Sequence, residues 1–548
     1  MKATMDSQRV FLFLIFSFSV YILWDGWQRE QHPLPPVASA ISTPVAGQSL
    51  MAKEKPSLPH TAVSTQRNLQ AGEKLTVKTD FFRAEINTSG GDIRRIELLK
   101  HFDTADKSKP FVLLQQDDGH IYVAQTGLLG HGLPTHNTIF TAQLKEYELS
   151  EGKDSIEIRL SARSESGAKV TKIFVFHRSS YLIDVNYQIE NNSVNKLSSS
   201  AYYQLVRDDI EPTGGTMFVP TYTGPAIYTD HDKFQKIDFP SVAKNKASIP
   251  KPADNGWAGM LQHYFVSAWL PKENSLREFY VKQLEDKLYA VGLILPIAEI
   301  EPGKIGSISV PLYVGPAQSN LDNLAPGLGS SVDYGILSVI AKPIFLFLTL
   351  IHGWVQNWGF AIIILTILIK LAFFPLSAAS YRSMAKMRVV APKLAKIKEQ
   401  YGDDRERLNR AMMDLYKTEK INPLGGCLPV LIQIPVFISL YWAILASVEM
   451  RYAPFIGWIT DLSRADPYYV LPLIMGVSMV IQSKLNPTPP DPMQAKLMQI
   501  MPVAFSVIFF FFPVGLVLYS VVNNVLSIAQ QWYITRNTEA EAKGAAKV

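Results

Sequence analysis

Tyr519, Asn523, Ser527 and Gln530 recur at spacings of four, four and three along an otherwise apolar tract, so all four project from one face of a helix. Lys370 stands in a second apolar tract, residues 354–376, with Thr366 one turn before it on the same face. Gln433 stands in a third, flanked by Pro429 and Pro435, each expected to leave a carbonyl unpaired one turn earlier. Hydrocarbon makes such groups expensive: a fixed charge at mid-bilayer costs about 2.5 to 3.5 kcal/mol. At about 1.5 Å per residue, Lys370 is expected roughly 9 Å inside a helix end near Leu376. Two readings follow. The lysine snorkels to the inner interface, or it lines a polar groove open to the cytoplasm. Hydrogen bonding between helices explains one polar face. Three faces, one of them charged, fit a shared hydrated cavity better. Such a cavity receives polar groups; it makes and breaks no bonds.

Several enzyme classes lack their residues. Cys427 is the only cysteine, which rules out an intrachain disulfide and a cysteine-rich metal site. None of the ten histidines forms an H-x-x-x-H or H-E-x-x-H pair, and neither G-x-x-x-x-G-K-[ST] nor G-x-S-x-G occurs. No cofactor or metal is expected, and no catalytic residue. The net charge of +5 comes mainly from one loop, so a nucleic-acid substrate is not indicated.

The elements that position these residues follow from hydropathy. With 548 residues and 47% hydrophobic composition the chain mixes soluble and membrane-like stretches. Residues 10–24 after Lys2 and Arg9 resemble a secretory signal, but the Ala38-Ser39-Ala40 pattern lies too far on for cleavage, so residues 1–30 are expected as an uncleaved anchor. Residues 31–74 are a Pro/Ser/Ala/Gln-rich flexible linker. From there to 330 the period is two, as in Ile156, Ile158, Leu160 and in Ile308, Val310, Leu312, Val314, with turns at Ser89-Gly90-Gly91 and Thr213-Gly214-Gly215. An antiparallel β-sandwich is expected, with Asp208, Asp209 and Glu211 as a solvated loop. Residues 332–352 hold Lys342-Pro343 at their middle; each half is too short to span, so an interfacial helix is expected over 331–352.

A membrane span over 353–376 precedes the loop 377–422, whose eleven Lys and Arg place it in the cytoplasm as a basic helical hairpin. That face suits lipid headgroups or, more sharply, a ribosome or targeting factor. Apolar tracts at 424–448, 468–481 and 498–534, the last broken at Pro513-Val514-Gly515, complete six spans, both termini inside, over 423–535, followed by a cytoplasmic tail, 536–548.

Specific stretches then carry a resemblance: Met384-Ala385-Lys386-Met387-Arg388, Asn422-Pro423-Leu424-Gly425-Gly426-Cys427, Gln433-Ile434-Pro435-Val436-Phe437, Asp466-Pro467-Tyr468-Tyr469, Asp491-Pro492-Met493-Gln494 and Phe512-Pro513-Val514-Gly515-Leu516. Over nearly its whole length the chain resembles the YidC-type membrane protein insertases, in the Gram-negative form, with mitochondrial Oxa and chloroplast Alb relatives. The resemblance implies a polytopic α-helical membrane protein of the bacterial inner membrane, with six transmembrane helices, five forming the insertase core, and an all-β periplasmic supersandwich. It implies a groove open to cytoplasm and lipid, closed outside, with Lys370, Thr366 and Ser520, beside Tyr519, at matching groove positions; the polar faces add Gln433, Asn523, Ser527 and Gln530 to its expected lining. Arg382, Lys386 and Arg388 become the ribosome or targeting contact, with nascent membrane proteins, membrane lipids and the Sec translocon as the other partners. The family usually has arginine where this chain has Lys370, and an aromatic position falls on Ser520. Lysine keeps the charge but loses the planar fork. A solute transporter or channel using the same polar faces is the rival, although no paired broken-helix repeat appears. A third reading makes the sandwich a carbohydrate-active enzyme on an anchor.

Overall fold

The computed structural model describes residues 69–545 apart from 104–105, 118, 213–221, 273–274, 336, 403, 420–427 and 487–491. The anchor expected over 1–30, most of the linker, the Thr213-Gly214-Gly215 turn and the Asn422 to Cys427 stretch lie outside the described residues.

Alternating sequence builds strands because successive side chains point to opposite faces of a sheet. Ile156, Ile158 and Leu160 lie in the strand Ser155–Arg163, and Ile308 to Val314 in Ile305–Pro316. The strands between Lys74 and Pro316 form two nine-stranded sheets, antiparallel except where Lys74–Lys78 pairs with Glu146–Glu148. In one sheet Leu182–Glu190 lies between Ile305–Pro316 and Lys169–His177, with Val185 opposite both Val310 and Phe174. Those three side chains meet Ile86, Ile96, Tyr203 and Leu293 of the other sheet in one buried core. At the Ser89-Gly90-Gly91 turn both glycines are left-handed (φ 75° and 59°), and a Cβ on Gly90 would fall 2.4 Å from the His136 carbonyl oxygen.

Asp208 corrects the solvated-loop expectation. It ends the strand Leu197–Asp208 and is buried, with His120 Nδ1 2.8 Å from its carboxylate and the Ile121 and Ile210 N–H groups donating to it at 2.6 and 3.1 Å. Its main partner is 88 residues away, which a local run of charges cannot reveal. Glu211 is exposed, as expected.

Three histidines make this domain acid-sensitive. Burial, reinforced by the Arg451 charge, pushes His101 and His263 down to about 4, and burial with Lys172 and Lys282 does the same to His136. Unfolded histidine titrates near 6.5, so between those values the unfolded chain binds more protons and stability falls as pH falls. Denaturant midpoints followed by tryptophan fluorescence should be flat from pH 8 to about 6.5. Below that, stability should drop, each histidine contributing a limiting slope of about 1.4 kcal/mol per pH unit and Asp92, pushed up to about 6 by burial, offsetting one of the three. No change down to pH 4.5 would contradict this assignment.

The helical part comprises α1 (Ser338–Val355), α2 (Trp358–Ala372), α3 (Phe374–Tyr401), α4 (Arg405–Thr418), α5 (Leu428–Ala446), α6 (Val470–Leu485), α7 (Pro492–Phe509) and α8 (Val514–Ala545). A second apolar cluster joins it to the sheet of Ile305–Pro316. That cluster runs from Trp257, Val266 and Tyr313 through Leu328 to Phe345 and Leu348 of α1, then to Ile362, Ile444 and Leu516.

α1 covers most of the residues 331–352 over which a helix is expected, and Pro343 does not divide it. The helix has 18 residues. Pro343 is only its sixth residue, so the missing N–H costs a single bond to the Val339 carbonyl near the helix start. Among the described residues α1 alone is long and apolar enough by itself to cross a membrane.

The single span expected over residues 354–376 is two pieces. Gln356, left-handed at φ 53°, ends α1, and the Asn357 side chain caps α2 by accepting from the Phe360 N–H at 3.1 Å. At Phe373 the chain bends by 66° into α3, because Pro375 has no N–H to give the Leu371 carbonyl. Lys370 therefore sits in the last turn of α2, about 3 Å from its end rather than about 9 Å inside it. α3 and α4 form the expected hairpin, with Asp404 capping α4.

Candidate functional site

Residues of α2, α3, α5 and α8 line an open recess. Lys370 comes from the last turn of α2, where a cation also meets the negative end of the helix dipole. Gln433 comes from α5, two residues before Pro435, which removes the helical bond to the Leu431 carbonyl. Pro429 falls in the first turn of α5, where no intrahelical bond is lost, so only one of the two expected unpaired carbonyls follows. Tyr519 and Asn523 face the recess from α8, and Ser377 from the start of α3; Ile369, Phe373, Leu376, Ile432 and Val436 supply the apolar remainder.

The ammonium of Lys370 donates to Ser527 Oγ at 2.7 Å, and Ser527 in turn donates to the Asn523 carbonyl at 2.7 Å. Among the described residues no carboxylate pairs with it. One of its three protons is thus held and two are left for what enters the recess. Gln530 does not line the recess; its amide reaches the Phe374 carbonyl at the bend, at 3.4 Å. Thr366 and Ser520 turn away as well. Both are buried, and each donates back to its own helix, to Ile362 and Leu516 at 2.6 and 2.8 Å. Ser520, at the position where the resemblance implies an aromatic, thus adds no ring to the recess, while Tyr519 beside it does.

A second polar face of α8 escapes the sequence reading. Asn524 donates to Ser478 Oγ on α6 at 2.7 Å, and Gln531, 1% exposed, donates to the Leu485 carbonyl and to Asn486 Oδ1 at 3.2 and 2.9 Å. The signal was present as the doublets Asn523-Asn524 and Gln530-Gln531: adjacent residues on a helix point about 100° apart, so each doublet serves two faces. One face looks into the recess and the other fastens α6. A double-mutant cycle of Asn524→Ala and Ser478→Ala, read by thermal unfolding in detergent, should give a coupling of about 0.6 to 1.7 kcal/mol. Additive single effects would contradict the bond.

The far end of the helices is closed by residues 449–466. The Val514 and Gly515 N–H groups, orphaned at the start of α8, donate to the Arg464 and Leu462 carbonyls at 2.7 and 2.9 Å. Asn357 Nδ2 reaches the Pro454 and Phe455 carbonyls at 3.3 and 3.4 Å. Beneath that cover Ile362, Leu365, Ile444 and Leu516 are buried together.

The three basic positions of the hairpin differ. Arg382 and Lys386 are exposed on α3. Arg388 is engaged: it donates to the Lys484 carbonyl at 2.9 Å and lies 3.7 Å from Glu539, bracing α3 against α6 and α8.

Residues 74–347 match the YidC periplasmic domain and residues 350–541 match the 60Kd inner membrane protein family. The membrane protein insertase YidC of Nitrosospira multiformis is 55% identical over 565 residues, covering 99% of each chain. That of Methylobacillus flagellatus is 53% identical over 559 residues, covering 99% of this chain and 100% of the relative. The crystal structure titled active YidC insertase with the first transmembrane domain resolved is 19% identical over 85% of this chain and 93% of its own, with a TM-score of 0.39. With both matched regions and half of all residues shared across the full length, this chain belongs to the YidC membrane protein insertase family.

Proposed function

We propose that this protein integrates nascent inner-membrane proteins, and helps them fold, by receiving a hydrophilic segment of the substrate in the recess beside Lys370, alone or together with the Sec translocon. The observation that carries this is a cation without a carboxylate partner among the described residues, held by Ser527 in a recess that also presents Gln433, Tyr519 and Asn523. The recess opens toward the cytoplasm and the lipid, and residues 449–466 close it outside. An acidic tail is drawn to the ammonium, while the apolar segment of the substrate moves into lipid between α5 and α7. Shortening the low-dielectric path lowers the barrier, and no nucleotide is needed. Each apolar residue inserted is worth about 0.3 to 0.6 kcal/mol, and each negative charge moved outward about 2.3 kcal/mol per 100 mV.

In this reading the sandwich is periplasmic and both termini are cytoplasmic. The six spans are the anchor, α2 continuing through its bend into α3, α5, α6, α7 and the first part of α8. The pair α2 and α3 together has the apolar length that 15 residues lack. α1 lies along the outer interface, with Leu346, Phe347, Leu350 and Trp354 exposed to lipid. Arg382 and Lys386 meet the ribosome or a targeting factor, a role their exposure suits.

Photocrosslinkers placed at Lys370 and Tyr519, with Leu473 on the exposed side of α6 as control, test the reading against a stalled nascent membrane protein. Adducts from the recess positions and few from Leu473 are expected. Equal labelling from all three, or none from the recess, would remove the recess from the substrate path.

A further inference from the structure

The inner end of α8 marks a membrane level. Trp532 and Tyr533 are exposed side by side, and the Arg536 guanidinium lies over the Trp532 ring, 5.4 Å from its centroid. Exposed tryptophan and tyrosine gather where hydrocarbon meets the headgroups, with cations just beyond. Gln530, whose amide reaches the Phe374 carbonyl at the bend between α2 and α3, stands two residues before Trp532, or about 3 Å along the helix. The bend therefore sits at the inner headgroup boundary. Ser527, which accepts from the Lys370 ammonium at 2.7 Å, is five residues before Trp532 and about 7.5 Å deeper. A headgroup layer is itself about 5 to 7 Å thick, so the ammonium lies within reach of a lipid phosphate that leans into the recess.

The recess suits a molecule that is polar at one end and apolar at the other. Ser527 takes one proton of the ammonium and leaves two. Gln433 and Asn523 bring amides beside it, while Ile369, Phe373, Ile432 and Val436 give an apolar wall. On α5 every side chain from Leu431 to Ile438 is exposed or half-buried, so that wall is not sealed by a neighbouring helix. A cation this close to hydrocarbon needs an anion, and among the described residues no carboxylate pairs with Lys370. The anion the bilayer itself supplies is the phosphodiester of its lipids, present at high concentration and carrying acyl chains. A free phosphate ion would leave the apolar wall uncovered.

We infer that between substrates Lys370 holds the phosphodiester of an anionic phospholipid of the inner leaflet, whose first acyl carbons cover Ile432 and Val436, and that an acidic substrate tail enters by exchanging with this lipid. The inference rests on the membrane placement of the recess proposed above and names what the substrate displaces there. Exchanging one anion for another keeps the ammonium paired throughout, so no step leaves an uncompensated charge beside hydrocarbon. Lysine suits the exchange, because a compact ammonium with three rotatable donors pairs with phosphate and carboxylate alike.

The test uses the full chain in liposomes containing phosphatidylglycerol with a diazirine on the acyl carbons nearest the glycerol, and no client. Adducts mapped by peptide mass spectrometry should appear at Ile432 and Val436. They should fall about tenfold in Lys370→Ala, the size of effect a lost charge-assisted hydrogen bond supports. Adducts at Leu473, on the exposed side of α6, should stay the same and report that the variant is folded. Lys370→Arg should keep most of the recess labelling, and so should Lys342→Ala, which removes an exposed cation from α1. A soluble acidic peptide should compete the recess adducts away, whereas excess inorganic phosphate should not. Equal labelling of Ile432 and Val436 with and without the lysine would overturn the site. Loss of the adducts to inorganic phosphate would make the ligand a free ion and overturn the lipid, and adducts that persist at saturating acidic peptide would overturn the exchange. Labelling is read without a client, so its failure leaves the insertase reading standing, while failure of the nascent-chain crosslinks from Lys370 and Tyr519 removes that reading and leaves the lipid result to be judged alone.

Discussion

Lys370→Ala should slow insertion of a substrate with a short acidic tail by about tenfold to thirtyfold in proteoliposomes, while Lys370→Arg should keep most of the rate. Two unit charges about 4 Å apart attract by about 4 kcal/mol at an effective dielectric of 20. A recess that admits water leaves about 1.5 to 2 kcal/mol of that, and 1.4 kcal/mol is a factor of ten in rate. The effect should depend on the substrate's charge. A client whose tail carries no acidic residue should lose little, because the apolar part of the driving force is untouched. Ser527→Ala separates charge from geometry: it removes the hydroxyl that holds the ammonium at 2.7 Å and keeps the charge, so its loss should be smaller than that of Lys370→Ala. Insertion of the acidic-tailed substrate at an unchanged rate by the alanine variant would end the role given to this lysine.

What could be read beforehand divides along a physical line. Period-two runs such as Ile183 to Ile189 specify strands because both the pattern and the buried face are local properties, and they reappear in Leu182–Glu190. Which strands pair, and that two nine-stranded sheets result, depends on partners far away in sequence. Asp208 shows the cost of that distance: its run of charges looks solvated until His120 is brought to it across the sheet. Among the helices, apolar length located most of the elements, including the one over 331–352, which Pro343 leaves whole because near a helix start the missing bond is one of few. Pro375 was expected inside a span, yet it coincides with the bend that brings Lys370 to a helix end.

The recess was legible only in part for a related reason. Spacing placed Tyr519, Asn523, Ser527 and Gln530 on one face, but Lys370, Gln433, Tyr519 and Asn523 line the space, with Ser527 holding the lysine. Helical periodicity gives direction around an axis; it does not say how far along that axis a neighbouring helix ends. Gln530 lies level with the bend, and Thr366, on α2, about two turns from it, so each polar stripe serves the recess over part of its length and packing over the rest.

Asp466→Ala should destabilise the protein by about 3 to 5 kcal/mol, the cost of breaking a buried charged network at one partner. Asp466 is 1% exposed, and its carboxylate holds the outer cover together from a single point. Oδ1 accepts from Trp458 Nε1 and the Tyr468 N–H at 3.0 Å each, and Oδ2 accepts from the Leu471 N–H at 2.9 Å in the first turn of α6. Alanine leaves three donors without an acceptor in a place water reaches poorly. Asp466→Asn keeps the Oδ1 bonds but turns an amide N–H₂ toward the Leu471 N–H, so its loss should be smaller, about 1 to 2 kcal/mol. Detergent-solubilised protein followed by thermal unfolding should rank wild type, the asparagine variant and the alanine variant in that order; equal midpoints for the two variants would mean that the Trp458 and Tyr468 bonds carry nothing. The consequence reaches the recess because residues 449–466 also accept the first N–H groups of α8 and hold Asn357 at the start of α2. Loosening this cover frees the outer ends of the two helices that carry Lys370 and Ser527, so Asp466→Ala should lower insertion even of substrates with neutral tails, the opposite selectivity from Lys370→Ala.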